Sequence, residues 1–112
     1  MQVSQREVRK SSLSSWQARL VEMIHHIGFG CIEGLIIRGG KPIFDPPPRI
    51  IREIKFGGEN GASTEGARKD YVLKAEVVEL LHYIESLGTG VILRLEIKHG
   101  LPFRMTFEEG AA

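Results

Sequence analysis

The sequence predicts an α+β fold of two layers, a single antiparallel sheet with two helices packed on one face. Three observations carry this prediction. First, Ala18-Arg-Leu-Val-Glu-Met-Ile-His-His-Ile27 returns as Ala75-Glu-Val-Val-Glu-Leu-Leu-His-Tyr-Ile84, with Ala18/Ala75, Val21/Val78, Glu22/Glu79, His25/His82 and Ile27/Ile84 identical. Second, both stretches carry apolar residues at helical spacing and end at a glycine, Gly28 or Gly88. Third, each is followed by two runs of alternating apolar residues around a short turn, with Leu35/Leu95, Ile37/Ile97, Gly40/Gly100 and Pro42/Pro102 in matching places after a three-residue shift. The order α-β-β-β-α-β-β follows, read as an internal duplication of a helix-plus-hairpin unit.

Residues 1–13 are polar and of mixed charge, with isolated Val3, Val8 and Leu13. They read as a flexible tail. Residues 14–109 form one domain: repeat one over 15–45, a connecting strand and loop over 46–70, and repeat two over 71–109.

Ser14 followed by Gln17 is a capping-box pattern, so the first helix is expected from Ser15 to Ile27. Trp16, Leu20, Met23, Ile24 and Ile27 form its apolar stripe. Residues 31–38 read as a strand, Gly39-Gly40 as a turn that needs positive φ, and Pro42 to Asp45 as the return. Pro46-Pro47-Pro48 is a stiff step, and residues 49–56 read as a third strand. Residues 57–70, rich in Gly, Ser, Asn and charge, read as a flexible loop.

Asp70 is the expected cap of the second helix, which starts near Tyr71 or Val72 and runs to Leu87. Its stripe is Leu73, Val77, Leu80, Leu81, Ile84 and Leu87. Val91, Leu93, Leu95 and Ile97 alternate with Arg94, Glu96 and Lys98; after the turn at His99-Gly100, Phe103, Met105 and Phe107 alternate with Arg104, Thr106 and Glu108. The helix-facing set is therefore Leu35, Ile37, Ile43, Ile50, Ile54, Leu93, Leu95, Ile97, Phe103, Met105 and Phe107. Trp16, Leu20, Ile24, Ile27, Leu73, Val77, Leu81 and Ile84 meet it.

The 112 residues, 42% apolar and 26% charged, make one ordinary globular domain. A net charge of +1 provides no global field for nucleic acid, which leaves only a local basic patch. No apolar run reaches the length of a membrane span and no signal-peptide plan opens the chain, so a cytoplasmic location is expected. The single cysteine, Cys31, forms no internal disulfide and no multi-cysteine zinc site.

Catalytic and cofactor motifs are missing: there is no G-x-S-x-G, no P-loop and no H-E-x-x-H. The glycine run from Gly57 to Gly61 lacks the Lys-Ser/Thr ending of a phosphate loop. His25 and His82, on the flank of each stripe, are expected to face outward and hold no metal. Cys31 reads as a structural thiol rather than a nucleophile. Glu33 replaces the Leu93 of the second copy. Three readings stay open for it: a buried carboxylate paired with Arg52, a wet residue at the sheet margin, or an active-site carboxylate.

Phe29-Gly30, Ile32-Glu33 and Gly40-Lys41 sit within a helix–hairpin stretch over residues 18–56. That stretch resembles the small bacterial YezD-like proteins, short chains of unknown biochemical role. This chain departs from them in its Gly39-Gly40 turn, its Pro46–Pro48 insertion and its second copy. The resemblance supplies no catalytic residue. It implies that a single helix–hairpin unit exists as a separate protein by pairing with a copy of itself.

The expected function is non-enzymatic association, as a homodimer or as an adaptor for another protein, without cofactor. Ile32, Ile36 and Arg38 are the interface candidates, because alternation turns Ile32 and Ile36 to the sheet face away from the helices. The alternative is a nucleic-acid-binding module using Arg49, Arg52, Lys55, Arg68 and Lys69 as phosphate contacts.

Overall fold

The computed structural model describes residues 7–57 and 70–110. It contains two helices, α1 (Ser15–Ile27) and α2 (Ala75–Ser86). Six strands form one antiparallel sheet: β1 (Gly30–Glu33), β2 (Leu35–Arg38), β3 (Lys41–Ile43), β4 (Arg49–Arg52), β5 (Gly90–Lys98) and β6 (Leu101–Glu109). The loop expected over 57–70, with Arg68 and Lys69, falls outside the described residues except for Gly57 and Asp70. Among the described residues no helix is long and apolar enough to cross a membrane.

The first helix forms where its local signals place it. Gln17 Oε1 accepts the Ser14 backbone N–H at 3.0 Å, closing the capping box, and Gly28 at φ 69° ends the helix. The second helix starts later than expected, at Ala75 with Lys74 as its cap. Asp70 does not cap it, because residues 70–73 are recruited elsewhere. The Lys10 N–H donates to the Tyr71 carbonyl at 2.8 Å and the Leu73 N–H to the Val8 carbonyl at 2.7 Å. Asp70 accepts from Arg9 Nε and from the Ser11 N–H, each at 2.9 Å. Residues 7–13, expected as a tail, are thus held in a short pairing with the lead-in to α2. β-branched Val72 suits that extended conformation better than a first helical turn.

β5 is the central strand. On one side lies β6; on the other, β1 and β2 follow one another along its length, with β4 outside β1 and β3 outside β2. The register Gly30↔Ile97, Cys31↔Glu96, Ile32↔Leu95 resumes as Leu35↔Ile92, Ile36↔Val91, Ile37↔Gly90. Both strands carry an irregularity between these blocks. Gly34 has φ 75° and separates β1 from β2, while the β5–β6 ladder shifts between Ile92 and Arg94. Each irregularity lets two successive residues face one side of the sheet and reverses the alternation beyond it.

This phase change corrects the predicted core. Ile32 faces the helices and is completely buried, with Leu35, Ile37, Ile92, Leu95 and Ile97. Leu93, expected inside, is 44% exposed at the irregularity. Ile50 and Ile54 lie at the sheet margin, 43% and 58% exposed. Phe103 is an extra residue between the Glu96↔Arg104 and Ile97↔Pro102 pairs and sits at the sheet edge, 56% exposed. Ile43, also expected inside, pairs directly with Ile36 and shares the open face with it. Of the others, Leu20, Ile24, Ile27, Leu73, Val77, Leu81 and Ile84 are buried, and Trp16, Met105 and Phe107 pack against them.

Equivalent turn geometry recurs sixty positions along the chain. In the helices burial fits sixty (Leu20/Leu80, Val21/Leu81, Ile24/Ile84) and the expected fifty-seven (Leu20/Val77, Ile24/Leu81, Ile27/Ile84) alike. Gly28 and Gly88 take φ 69° and 76°, Gly40 and Gly100 take 77° and 71°, and Gly39 and His99 take 59° and 56°. The Gly40 N–H donates to the Gly88 carbonyl, and the Gly100 N–H to the Gly28 carbonyl, both at 2.8 Å. The turn of each hairpin therefore meets the end of the other half's helix.

Candidate interaction surfaces

The sheet face away from the helices carries a row of alternating charge. It runs from β4 through β1 and β5 to β6. Arg49 Nη1 lies 3.4 Å from Glu33 Oε1, and Arg94 Nη1 donates to Glu33 Oε2 at 2.7 Å. Glu96 Oε2 then stands 3.8 Å from Arg94 Nε and 3.3 Å from Arg104 Nε. Cys31 stands opposite Glu96, so plain alternation two residues on sets Glu33 and Arg94 opposite one another on this face, just short of the irregularity at Gly34 and Leu93. Glu33 is thus half-buried and paired, and its partners are Arg94 and Arg49. Arg52 stands across from Gly30 on the other face of β4, so it is not available to Glu33.

Cys31 lies beneath this row, with its thiol 3.9 Å from Glu33 Oε2. Burial pushes the thiol above its ordinary pKa; Arg94 acts against that shift and Glu33 with it. A neutral, buried thiol is a poor nucleophile. His25 departs from expectation: it is buried on α1, with its Nδ1 2.9 Å from the Tyr71 hydroxyl and the two rings tilted at 5.4 Å. Tyr71, brought in by the extended lead-in to α2, covers a helix flank that the wheel alone leaves open. His82 is exposed. Among the described residues no cluster of His, Cys, Asp and Glu could hold a metal ion.

The predicted contact residues divide. Ile32 is core and unavailable to a partner. Ile36 and Arg38 are on the open face, where Ile36 stands beside Ile43 and Val91. The predicted basic set divides too. Arg49 lies on the open face, Arg52 on the opposite one, and Lys55 beyond the end of β4.

A second surface lies along the outer edge of β6. Among the described residues β6 pairs only with β5, so its outer edge is free over Leu101–Glu109. Beside it, between β6 and α2, runs an open groove of about 740 Å³ whose apolar lining includes Leu80, Tyr83, Leu87, Phe103, Met105 and Phe107. Tyr83 and Phe103 are more than half exposed. Phe103 is flanked by cations, with Lys98 Nζ 4.2 Å and the Arg104 guanidinium carbon 5.4 Å from its ring centre. The sequence signal for this surface is weak: Phe103 keeps the apolar alternation of its neighbours, and only its irregular pairing moves it outward.

Comparison of the chain with protein-family models, curated proteins and solved structures returns no match.

Proposed function

We propose that this chain is a non-enzymatic module that works by association, through the free edge of β6 and the groove beside it. The observation that carries this reading is the coincidence of a nine-residue strand whose outer edge is unpaired among the described residues with exposed Tyr83 and Phe103. An edge strand offers backbone donors and acceptors to a partner strand, and adjacent apolar pockets supply affinity. The charged row suits a structural role, since each carboxylate is held by two arginines and stands apart from any deep cavity. The recurrence at sixty residues supports an internal duplication. On that view the pairing of β1 and β2 with β5 is the contact that the YezD-like single unit, which residues 18–56 resemble, would make with its own copy.

The test is Phe103→Asp, checked for native folding by circular dichroism. Light scattering of the purified protein and co-purification from its native host are then compared with the parent chain. Loss of self-association or of a specific partner supports the reading. A parent chain that is monomeric and captures nothing sensitive to Phe103 removes it.

One observation favours nucleic acid as a second reading. Among the described residues of the open face, Arg38, Lys41, Arg49, Arg94, Lys98 and Arg104 outnumber Glu33, Glu96 and Glu108. Such a face suits phosphate contacts, with Phe103 as a stacking surface. Fluorescence anisotropy with a labelled single-stranded oligonucleotide at low and moderate salt decides it. Absence of binding at low salt excludes this reading.

A further inference from the structure

The outer edge of β6 is matched to itself. We propose that two copies of this chain pair antiparallel along β6, centred on Thr106, to join their sheets into one. The inference rests on the association reading and names the occupant of the edge.

Three observations lead to it. The first is charge. In an antiparallel pairing centred on Thr106, Arg104 of one copy stands opposite Glu108 of the other, twice over by symmetry. Both residues are exposed and face the open side, since they stand across from Glu96 and Val91 of β5. Opposite charges directly across two strands are stabilising, and like charges there are not. Moving the centre by one residue, to Met105, puts Arg104 opposite Thr106 and loses both pairs.

The second observation is the helix-facing side. The same register sets Met105 against Phe107 of the second copy, again twice. Both are half-buried within one chain and pack at the margin of its core. They line the groove with Tyr83 and Leu87, so a second copy extends that margin into a continuous apolar layer. Charge and apolar side chains thus select one register on the two faces of one strand.

The third is the contrast with the opposite edge of the sheet. There the return strand is split into β3 and β4, with Pro46, Pro47 and Pro48 between them. Proline has no N–H to donate, and a broken edge is a poor template for strand addition. The β6 edge is continuous, and its one proline, Pro102, stands at the strand's beginning.

The experiment uses the full chain. Light scattering after size-exclusion chromatography, from micromolar to millimolar protein, is expected to show conversion to twice the chain mass. Glu108→Arg faces two arginines with two more and weakens the dimer about 10–100-fold. The double variant Arg104→Glu, Glu108→Arg restores the pairs in reversed sense and returns most of that loss. Thr106→Cys places two thiols on the symmetry axis and gives a disulfide-linked dimer under mild oxidation, while Cys31 stays buried. A monomer at every concentration overturns the proposal. So does a dimer that Glu108→Arg leaves intact and Thr106→Cys fails to cross-link; in that case the association reading survives with a different surface.

Discussion

The two outer edges of the sheet occupy corresponding places and have opposite properties. β6 runs for nine residues without interruption, whereas the corresponding strand of the first half is cut into three-residue β3 and four-residue β4. The inner strands do not differ in this way. β1 with β2, and β5, carry their irregularities at matching positions and pair with each other. Interior geometry is held in common because both halves must satisfy the same core and the same central ladder. An edge answers only to solvent or to a partner, so it is free to diverge. The contrast is what the proposed association at the β6 edge rests on.

The deepest test of that contrast asks whether the interiors are as alike as the edges are unlike. Ile24 and Ile84 are each fully buried in corresponding turns of α1 and α2. Ile24→Ala and Ile84→Ala should each cost about 2–5 kcal/mol, measured by urea unfolding. If one cost is much smaller, the core is lopsided and the likeness is confined to the backbone. At the turns the effect is smaller. A side chain on Gly40 would meet the Glu85 carbonyl oxygen at 2.6 Å, and its φ is 77°. Gly40→Ala should cost about 1–3 kcal/mol. Gly39 has open space and the same conformation that His99 adopts in the second half, so Gly39→Asn should change stability by less than about 1 kcal/mol.

Ile36→Arg separates the open face from the β6 edge. Ile36 is half-buried beside Ile43 and Val91, and the change should cost about 1 kcal/mol or less. Self-association should persist; its loss, with folding intact by circular dichroism, would move the contact surface to the open face. The smallest effect is at the amino-terminal pairing. The Arg9 guanidinium and the Ser11 N–H lower the Asp70 pKa from 3.8 to about 2. A depressed carboxylate favours the folded pairing above its ordinary pKa and loses that contribution as pH falls through its folded value. The Ser11 amide resonance should therefore titrate near pH 2 rather than near 4. In Asp70→Asn that step should vanish with the global fold unchanged.

Much of this architecture could be read from the residues, where the signal is local. The Ser14–Gln17 box, the glycine stop after α1 and the turns at Gly39-Gly40 and His99-Gly100 each depend on a few neighbours. What the sequence concealed depends on distant partners. Strict alternation turns Ile32 outward, and the break at Gly34 turns it in. The spacing of three in Ile32/Leu35 and again in Ile92/Leu95 was the available sign that alternation breaks. The start of α2 and the burial of His25 share one cause, the docking of residues 70–73 against residues 8–10 and α1. Residue identity aligns the helices at fifty-seven residues and the turns at sixty, because an apolar stripe nearly repeats after three positions and burial fits both spacings. The candidate surface was hardest to see, because Phe103 looks apolar and interior until its pairing partners are known.

The reciprocal bonds between turns and helix ends bear on how the chain is made. The Gly40 N–H finds its acceptor on Gly88, and the Gly28 carbonyl finds its donor on Gly100. A ribosome making ~5–20 residues per second needs roughly 2–10 s to travel from Gly40 to Gly88. Throughout that interval the first helix and hairpin are complete in sequence but lack the strand and turn that close them. The long inner edge of β1 and β2 stands open in the nascent chain, with Leu35 and Ile37 uncovered by β5. The order of synthesis therefore leaves Leu35 and Ile37 without their neighbouring strand until the second half has emerged.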